Sequence, residues 1–331
     1  MAGIKVGING FGRIGRRVFR LLLDHPGIEV VAINDIADAK TLSHLVKYDS
    51  IHGVLQKQVK STTHSIMVDD KAYPFYSQTA ISKIPWHGVD IVIEATGKFK
   101  TKSVLQQHIS SGAKKVILCV PPVDDQIKMI VAGVNDQMLT PEDCIISNAS
   151  CTTNNAAPIL KLIHDAFQVQ QAYITTVHSY TTDQSLHDQP HKDLRRARAA
   201  GQSIVPTTTG AAKALTKLFP DLNNVIGGCG IRVPVANGSL CDITLNVKKE
   251  TSIQAVNALF EKAAAGPLKG ILQFTQDPIV SIDIVGNYHS CVLDSEMTSV
   301  IGKMIKIIGW YDNETGYSSR IIDLVYKMSR K

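Results

Sequence analysis

Three glycines near the N-terminus, Gly10, Gly12 and Gly15, have the GxGxxG spacing and constrain how this chain can fold. They follow a strand-like run, Ile4–Asn9, and precede an amphipathic stretch at 13–24 that predicts a helix. In that setting the first glycine permits a tight turn, the second lets the backbone approach a pyrophosphate, and the third lets helix and strand pack closely. The motif therefore predicts a βαβ unit that binds a dinucleotide at the helix N-terminus.

Asp35 ends the next predicted strand, 29–34, at about 20 residues from the glycines. Its carboxylate is expected to accept hydrogen bonds from the adenosine ribose hydroxyls and to repel a 2′-phosphate, which favours NAD over NADP. Strand-like runs at 90–94 and 115–120 flank a helical stretch at 102–111. This alternation predicts an α/β domain over 1–150 with a doubly wound parallel sheet of the Rossmann type.

After residue 150 the pattern changes to longer strands and fewer helices. The predicted strands are 172–178, 230–234, 241–248, 279–285 and 306–310, and the predicted helices are 207–219 and 252–265. We expect an α+β domain over 151–314 with a large mixed or antiparallel sheet. A last helix, about 315–331, is expected to return to the first domain. A chain of 331 residues is long enough for two domains.

Composition excludes several classes of protein. The chain is 44% hydrophobic, and no apolar run approaches the roughly 18 residues that span a bilayer, so no membrane association is expected. Its six cysteines are scattered without a CxxC pair, which argues against a disulfide framework or a metal site. With no signal peptide recognisable, these features predict a cytoplasmic protein. The net charge of +6 is not accompanied by aromatic residues in the basic cluster at 191–198, so no dedicated nucleic-acid binding is expected.

Cys151 lies in the run Ser-Asn-Ala-Ser-Cys-Thr-Thr-Asn, 147–154, ahead of a helix-like stretch. That would place the sulfur in the first helical turn, where the helix dipole and unpaired backbone N–H groups favour a thiolate. A buried, unreactive cysteine is the alternative. His178, at the end of a predicted strand, is the candidate general base, although a single histidine is more often an ordinary surface or core residue.

Two further clusters offer the donors that phosphate groups need. Residues 207–210 form a hydroxyl-rich turn before a predicted helix, and Arg198 lies one helical turn past Arg195. Arg232, just before Pro234, is a third candidate. The alternative for the arginines is a solvated helix face.

Together these motifs resemble the phosphorylating glyceraldehyde-3-phosphate dehydrogenases over essentially the whole chain. The matching blocks are Asn9-Gly-Phe-Gly-Arg-Ile-Gly15, 147–154, His178-Ser-Tyr-Thr181, Asp193-Leu-Arg-Arg-Ala-Arg198, Thr207-Thr-Thr-Gly-Ala-Ala-Lys213, Arg232-Val-Pro234 and Trp310-Tyr-Asp-Asn-Glu-Thr-Gly-Tyr317. The resemblance implies oxidation of D-glyceraldehyde 3-phosphate with inorganic phosphate and NAD to 1,3-bisphosphoglycerate, through a cysteine thiohemiacetal and thioester, by a homotetramer. The related erythrose-4-phosphate dehydrogenase is the alternative.

The resemblance also implies a role for each matching residue. Cys151 is the implied nucleophile and His178 its base. The implied NAD contacts are Gly10, Gly12, Arg13, Ile14, Gly15, Asp35, Thr96, Gly97, Cys119 and Asn313. The implied subsite for the substrate's own phosphate is Thr181, Asp183 and Arg232. The implied inorganic-phosphate subsite is Ser150, Thr152, Arg198, Thr209 and Gly210.

Several residues depart from the family pattern, including the three that follow. Asn155 replaces a second cysteine four residues past Cys151, Cys119 stands where a serine is frequent, and Thr315 replaces a frequent tryptophan. Because none of these is the implied nucleophile or base, we expect them to affect cofactor affinity more than the reaction.

Overall fold

The computed structural model describes residues 3–330. Met1 and Ala2, in the predicted first domain, and Lys331, in the predicted last helix, lie outside the described residues. The chain divides into two compact units, residues 1–149 with 318–331 and residues 150–317. No helix within 3–330 combines the length and the apolar character that crossing a membrane would require.

The first unit contains a sheet of nine strands in the order β10-β11-β9-β8-β1-β2-β7-β6-β5. The strands of the whole first unit are β1 (Ile4–Asn9), β2 (Ile28–Asn34), β3 (Tyr48–Asp49), β4 (Gly53–Val54), β5 (Val59–Thr62), β6 (Ser65–Val68), β7 (Lys71–Tyr76), β8 (Ile91–Glu94), β9 (Lys115–Leu118), β10 (Lys128–Met129) and β11 (Ile145–Ser147). Its helices are α1 (Arg13–Leu22), α2 (Ala39–Lys47) and α3 (Lys102–Ser110). Strands β3 and β4 form a separate hairpin.

The centre of this sheet is parallel, as predicted. β1 pairs in parallel with β2 on one side and with β8 on the other. All four residues of β8 are buried, as expected for a central strand of a parallel sheet. Reversal of strand order on either side of β1 gives the doubly wound arrangement, and ligands bind at the carboxyl ends of strands at such a switch point.

The sequence did not predict the antiparallel edge β5-β6-β7 or helix α2. The edge strands are short, and alternate residues of β5 are exposed, so their apolar pattern is weak. Helix α2 did carry a local signal, because Asp38 caps it by accepting a hydrogen bond from the Thr41 backbone N–H at 2.8 Å.

The second unit contains a mixed sheet of seven strands in the order β13-β14-β12-β15-β18-β17-β16. Its strands are β12 (Val169–Ser179), β13 (Val205–Thr207), β14 (Ile226–Val233), β15 (Ser239–Val247), β16 (Leu272–Thr275), β17 (Cys291–Ile301) and β18 (Met304–Tyr311). Its helices are α4 (Cys151–Phe167), α5 (Ala211–Leu218) and α6 (Ile253–Ala265). The last helix, α7 (Thr315–Ser329), begins here, and its residues from Ser318 onward belong to the first unit. The predicted α/β class and large mixed sheet are confirmed.

One predicted strand is wrong. Residues 279–285 alternate apolar and polar side chains, but Ser281–Ile284 form a turn of 3₁₀-helix. The Asp283 carboxylate accepts a hydrogen bond from the Val280 backbone N–H at 2.8 Å and closes this turn. Ile282 is then 71% exposed, so the alternation does not correspond to a buried sheet face. The predicted helix 207–219 also begins later, at Ala211, because β13 pairs with β14.

Parallel pairing of β12 and β14 positions two polar side chains at one end of this sheet. In the register of these strands His178 lies opposite Arg232. Helix α4 packs against the sheet with its apolar residues, of which Ile159, Leu160 and Ile163 are fully buried. The start of the helix is thereby fixed relative to the strand ends.

Candidate active site

Cys151 is the first residue of α4. The turn that precedes it includes Ala149 in the left-handed conformation, with φ of 53°. Ser150 caps the helix, because its hydroxyl accepts from the Thr153 backbone N–H at 3.1 Å and lies 2.7 Å from the Thr153 hydroxyl. The Cys151 sulfur therefore lies at the positive end of the helix dipole.

His178 lies next to this sulfur. The distance from Cys151 Sγ to His178 Nε2 is 3.4 Å, which is within hydrogen-bonding reach for sulfur. The imidazole is 5% exposed, and its ring makes an edge contact with the ring of Tyr311. The structure thus brings together the nucleophile and the base that the sequence suggested.

Arg232 contacts the far side of the imidazole. Its Nη1 lies 2.6 Å from His178 Nδ1 and 2.9 Å from the Ser179 carbonyl oxygen, which itself lies 2.7 Å from Nδ1. Nδ1 therefore has two competing partners: it can accept from the guanidinium or donate to the carbonyl. Only the second arrangement leaves Nε2 free to accept a proton from the thiol.

Burial dominates the electrostatics of the pair. Burial, with the positive charge of Arg232 next, lowers the pKa of His178 to about 3. Burial raises the pKa of the Cys151 thiol, and the charge of Arg232 and the hydrogen bonds from Thr152 only partly oppose it. Desolvation thus opposes the resting thiolate that the sequence predicted at this helix terminus.

Tyr311 was not singled out from the sequence, yet its side chain holds the elements that carry Cys151 and His178 together. Its hydroxyl lies 3.0 Å from Thr152 Oγ1 and 2.8 Å from Thr176 Oγ1, so it connects the first turn of α4 with β12. The side chain is 1% exposed, and burial raises its pKa well above the ordinary value. No spacing rule pointed to it, because this contact joins residues more than a hundred positions apart.

Arg196 is the centre of a second polar cluster, and no role was predicted for it from the sequence. Its Nη1 donates to Asp183 at 2.6 Å and its Nε donates to the Thr207 hydroxyl at 2.9 Å. Although burial raises it, the pKa of Asp183 is held below its usual value by the hydrogen bond and charge of Arg196. Burial is the largest cause that lowers the pKa of Arg232 and of His178, and the positive charge of Arg196 lowers both further.

The remaining predicted substrate residues have other local roles in the structure. Arg198 is largely exposed and forms an ion pair with Asp188 at 2.9 Å. The Thr209 hydroxyl accepts from the Ala211 backbone N–H at 3.2 Å, and Gly210 precedes the first residue of α5. The Thr181 carbonyl accepts from the Gln184 backbone N–H at 2.9 Å. The arginine joined to Asp183 is thus Arg196, whereas Arg198 pairs with Asp188.

Asn313 is buried, and its amide is oriented by two hydroxyls. Ser179 Oγ and Ser239 Oγ both donate to Asn313 Oδ1 at 2.9 Å. Ser239 Oγ in turn accepts from the Ser179 backbone N–H at 3.1 Å. With its oxygen occupied in this way, the side chain presents its NH₂ group as a donor.

The first unit has a cavity of about 290 Å³ at the carboxyl ends of its central strands. The residues that line it are Asn9, Gly10, Gly12, Asn34, Asp35, Ile36, Gln78, Thr79, Ile81, Ile84, Ala95, Thr96, Lys98 and Phe99. Its volume is at the lower end of the range for small-molecule sites. Four of the residues expected to bind NAD line this cavity: Gly10, Gly12, Asp35 and Thr96.

The glycine loop fits a dinucleotide. A Cβ atom on Gly10, whose φ is 89°, would lie 2.5 Å from the Thr96 backbone nitrogen, and one on Gly15 would lie 2.1 Å from the Gly10 carbonyl oxygen. A Cβ on Gly12 would meet nothing within 4 Å, and no side chain caps α1 there. Open space at the helix N-terminus is what a pyrophosphate requires.

The other predicted cofactor residues surround this loop. Asp35 accepts from the Phe11 backbone N–H at 2.6 Å and from the Ala37 backbone N–H at 2.9 Å, which fixes its carboxylate at the cavity. The Arg13 guanidinium instead pairs with Asp49 at 2.8 Å. Burial, followed by the negative charge of Glu94, raises the pKa of Cys119 well above the ordinary value. Ile14 lies in the first turn of α1, and Gly97 adopts a positive φ of 69°.

Comparisons with known proteins match both units. Residues 4–102 match the family model for the NAD binding domain of glyceraldehyde 3-phosphate dehydrogenase, and residues 150–313 match that for its C-terminal domain. The chain belongs to the glyceraldehyde-3-phosphate dehydrogenase family. It is an NAD-dependent oxidoreductase of the α/β class.

Curated relatives of this family match nearly the whole chain. Glyceraldehyde-3-phosphate dehydrogenase 2 of Streptomyces avermitilis is 51% identical over 97% of both chains. Glyceraldehyde-3-phosphate dehydrogenase of Geobacillus stearothermophilus is 48% identical and glyceraldehyde-3-phosphate dehydrogenase 1 of Bacillus cereus 46% identical, each over 99% of both chains. The predicted family is therefore confirmed.

The contact between Cys151 and His178 predicts how the thiol reacts. Replacing His178 by Asn is expected to slow alkylation of Cys151 by iodoacetamide about tenfold or more, because the proton acceptor is removed. Mass spectrometry of peptides over a time course measures this rate. The exposed Cys144 is an internal control whose rate should not change. An unchanged rate at Cys151 would show that the imidazole does not activate the thiol.

Proposed function

We propose that this enzyme oxidises D-glyceraldehyde 3-phosphate with NAD and inorganic phosphate to 1,3-bisphosphoglycerate. The reaction is reversible, so it serves both glycolysis and gluconeogenesis. The unit of residues 1–149 and 318–331 is the NAD-binding domain and the unit 150–317 is the catalytic domain. The observation that carries the proposal is the 3.4 Å contact of Cys151 and His178 next to a half-buried arginine, Arg232. A thiol, a base and an anion-binding group are the three elements that this oxidation needs.

The first step is attack of the Cys151 sulfur on the aldehyde carbon. The thiol proton moves to His178 Nε2 as the carbon–sulfur bond forms, and it then neutralises the carbonyl oxygen to give a thiohemiacetal. The backbone N–H of Cys151 at the start of α4 stabilises the negative oxygen during attack. A resting thiolate is not required, since the neutral imidazole is the form that accepts a proton.

The second step is oxidation of the thiohemiacetal to a thioester. Bound NAD supplies the hydride acceptor. His178 removes the hydroxyl proton of the thiohemiacetal, so that a carbon–oxygen double bond forms while Cys151 stays acylated. The NAD contacts are Gly10, Gly12, Arg13, Ile14, Gly15, Asp35, Thr96, Gly97, Cys119 and Asn313. The oriented NH₂ group of Asn313 suits the carbonyl of a nicotinamide carboxamide.

Arg232 connects substrate binding to the base. In this proposal Arg232 and Thr181 bind the substrate phosphate, and Asp183 acts through its ion pair with Arg196. The bound phosphate offsets the positive charge of Arg232, which after burial lowers the pKa of His178. It also competes for the guanidinium donor that contacts Nδ1, which favours donation from Nδ1 to the Ser179 carbonyl. The imidazole becomes a stronger base, with Nε2 free, when the substrate is present.

Inorganic phosphate completes the reaction by attacking the thioester carbon. The acyl phosphate forms, the carbon–sulfur bond breaks, and Cys151 regains its proton from His178. Ser150, Thr152, Arg198, Thr209 and Gly210 form the phosphate subsite in this proposal. Because Arg196 is the arginine bonded to Asp183 and Thr207, we include it among the anion-binding residues.

The role of Arg232 gives a kinetic prediction. Arg232→Gln is expected to raise the KM for glyceraldehyde 3-phosphate about tenfold or more, because a charged hydrogen bond to the substrate phosphate is lost. The KM for NAD should change little, and the KM for unphosphorylated glyceraldehyde should rise much less than that for the phosphorylated substrate, because this aldehyde has no phosphate for Arg232 to bind. Steady-state absorbance of reduced nicotinamide, with erythrose 4-phosphate as the comparison substrate, measures these constants. Equal losses for both glyceraldehyde substrates would contradict a phosphate-binding role.

A homotetramer in the cytoplasm is the proposed form of the enzyme. Leu186, Leu194 and Ile204 lie in one loop region of the second unit and are 78%, 82% and 70% exposed. Three exposed apolar side chains within one loop region support a subunit interface there. The six cysteines are all free, which agrees with a reducing compartment.

The exposed loop predicts association in solution. Sedimentation equilibrium at micromolar concentration is expected to give a mass of about four chains. Leu194→Asp should shift this mass toward smaller species, whereas Leu45→Asp, at a less exposed position outside the loop, should not. A monomer mass of 36.0 kDa for the unaltered protein would contradict the proposal.

A further inference from the structure

Glu94 is a fully buried carboxylate below the cofactor cavity. It is the last residue of β8 and is 0% exposed. Its Oε2 accepts from Asn9 Nδ2 at 2.6 Å and lies 3.0 Å from His108 Nε2. Its Oε1 accepts from the Thr96 backbone N–H at 2.9 Å and from the Thr96 hydroxyl. Four hydrogen-bonding groups therefore converge on one side chain that the reaction does not use.

The protonation state of His108 follows from its other partner. Trp86 Nε1 lies 2.8 Å from His108 Nδ1, and an indole N–H can only donate. His108 Nδ1 is therefore an acceptor without a proton, and the ring proton is on Nε2. The imidazole is neutral and donates to Glu94. The carboxylate is thus held by hydrogen bonds alone, without a positively charged partner in this relay.

A second relay, a series of hydrogen bonds, reaches Glu94 through Asn9, and in it too every donor points toward the carboxylate. The Gln78 backbone N–H donates to Asn34 Oδ1 at 2.9 Å, Asn34 Nδ2 donates to Asn9 Oδ1 at 2.8 Å, and Asn9 Nδ2 donates to Glu94. Every amide in this chain has its NH₂ group toward the carboxylate. Such an alignment is what an ionised acceptor at residue 94 imposes, because a carboxylate accepts and does not donate.

Both relays end on residues that form the cofactor site. Asn9, Asn34, Gln78 and Thr96 all line the cavity of the first unit. Thr96 is also the residue against which Gly10 packs without room for a side chain. Glu94 therefore connects the end of β1, the turn after β8 and helix α3, which carries His108.

We propose that Glu94 is a positioning residue for NAD: its negative charge orients Asn9 and Thr96 and so shapes the cavity that receives the cofactor. Charge, rather than size, is the property that matters. A glutamine at this position has the same shape, but its NH₂ group would face at least one of the four donors without an acceptor between them. The turn at Thr96 would then no longer be held in a fixed position relative to the glycine loop.

The test compares cofactor binding by variants in the absence of substrate. Glu94→Gln is expected to raise the dissociation constants of both NAD and ADP-ribose about tenfold or more in calorimetry. Glu29→Gln, which removes a surface carboxylate of the same unit that pairs with Lys71, should stay within about twofold of the unaltered protein. The Cys151 alkylation rate should be unchanged, which shows that the second unit is folded. Unchanged NAD binding by folded Glu94→Gln would overturn the proposal.

A second pair of variants keeps the proposal testable if Glu94→Gln does not fold. His108→Gln can still donate to Glu94 and accept from Trp86, whereas His108→Leu can do neither. We expect NAD binding close to normal for His108→Gln and severalfold weaker for His108→Leu. The indole N–H resonance of Trp86 should also shift in His108→Leu, while that of Trp310, which donates to Asp294, stays in place. Equal NAD affinity of the two variants would overturn the positioning role.

Discussion

The contact between Cys151 and His178 is the interaction on which the proposed chemistry depends. Three separate features of the fold produce it. Ser150 caps α4 so that the sulfur lies in the first turn, parallel pairing places His178 opposite Arg232, and Tyr311 joins the helix start to β12 through two threonine hydroxyls. Because all of these contacts lie within residues 150–317, the catalytic geometry is a property of one compact unit.

Electrostatics in this unit give the resting site a different character from the one expected at a helix terminus. A positive helix end and a nearby arginine favour a thiolate, but desolvation raises the pKa of the half-buried Cys151 thiol. Arg232 has two opposing effects, since its charge stabilises an anion on sulfur and at the same time disfavours protonation of His178. In the proposed reaction, the substrate's phosphate binds Arg232 and thereby changes that balance. Reactivity is in this account linked to substrate binding.

Local sequence signals predicted much of the fold and of the site. The glycine spacing with Asp35, and the polar run around Cys151, depend on backbone geometry within a few residues, and the structure places them as such motifs require. Features that depend on a distant contact or on a single side-chain cap were not predictable in this way. Asp283 caps a turn where a strand was predicted, Arg196 donates to Asp183, and Glu94 accepts from donors on three elements. In each case the deciding partner is set by tertiary structure or by one side-chain cap that apolar alternation does not reveal.

The central claim, that Cys151 is acylated during the reaction and released by phosphate, can be measured in a single rapid-mixing experiment. Enzyme saturated with NAD is mixed with glyceraldehyde 3-phosphate without phosphate, and reduced nicotinamide is followed together with the mass of the peptide containing Cys151. The account predicts a burst of about one reduced nicotinamide per chain, a 3-phosphoglyceroyl thioester on Cys151, and steady turnover only after phosphate is added. Cys151→Ser should bind NAD but show neither burst nor adduct. Full turnover without phosphate, or a burst without modification of Cys151, would contradict it.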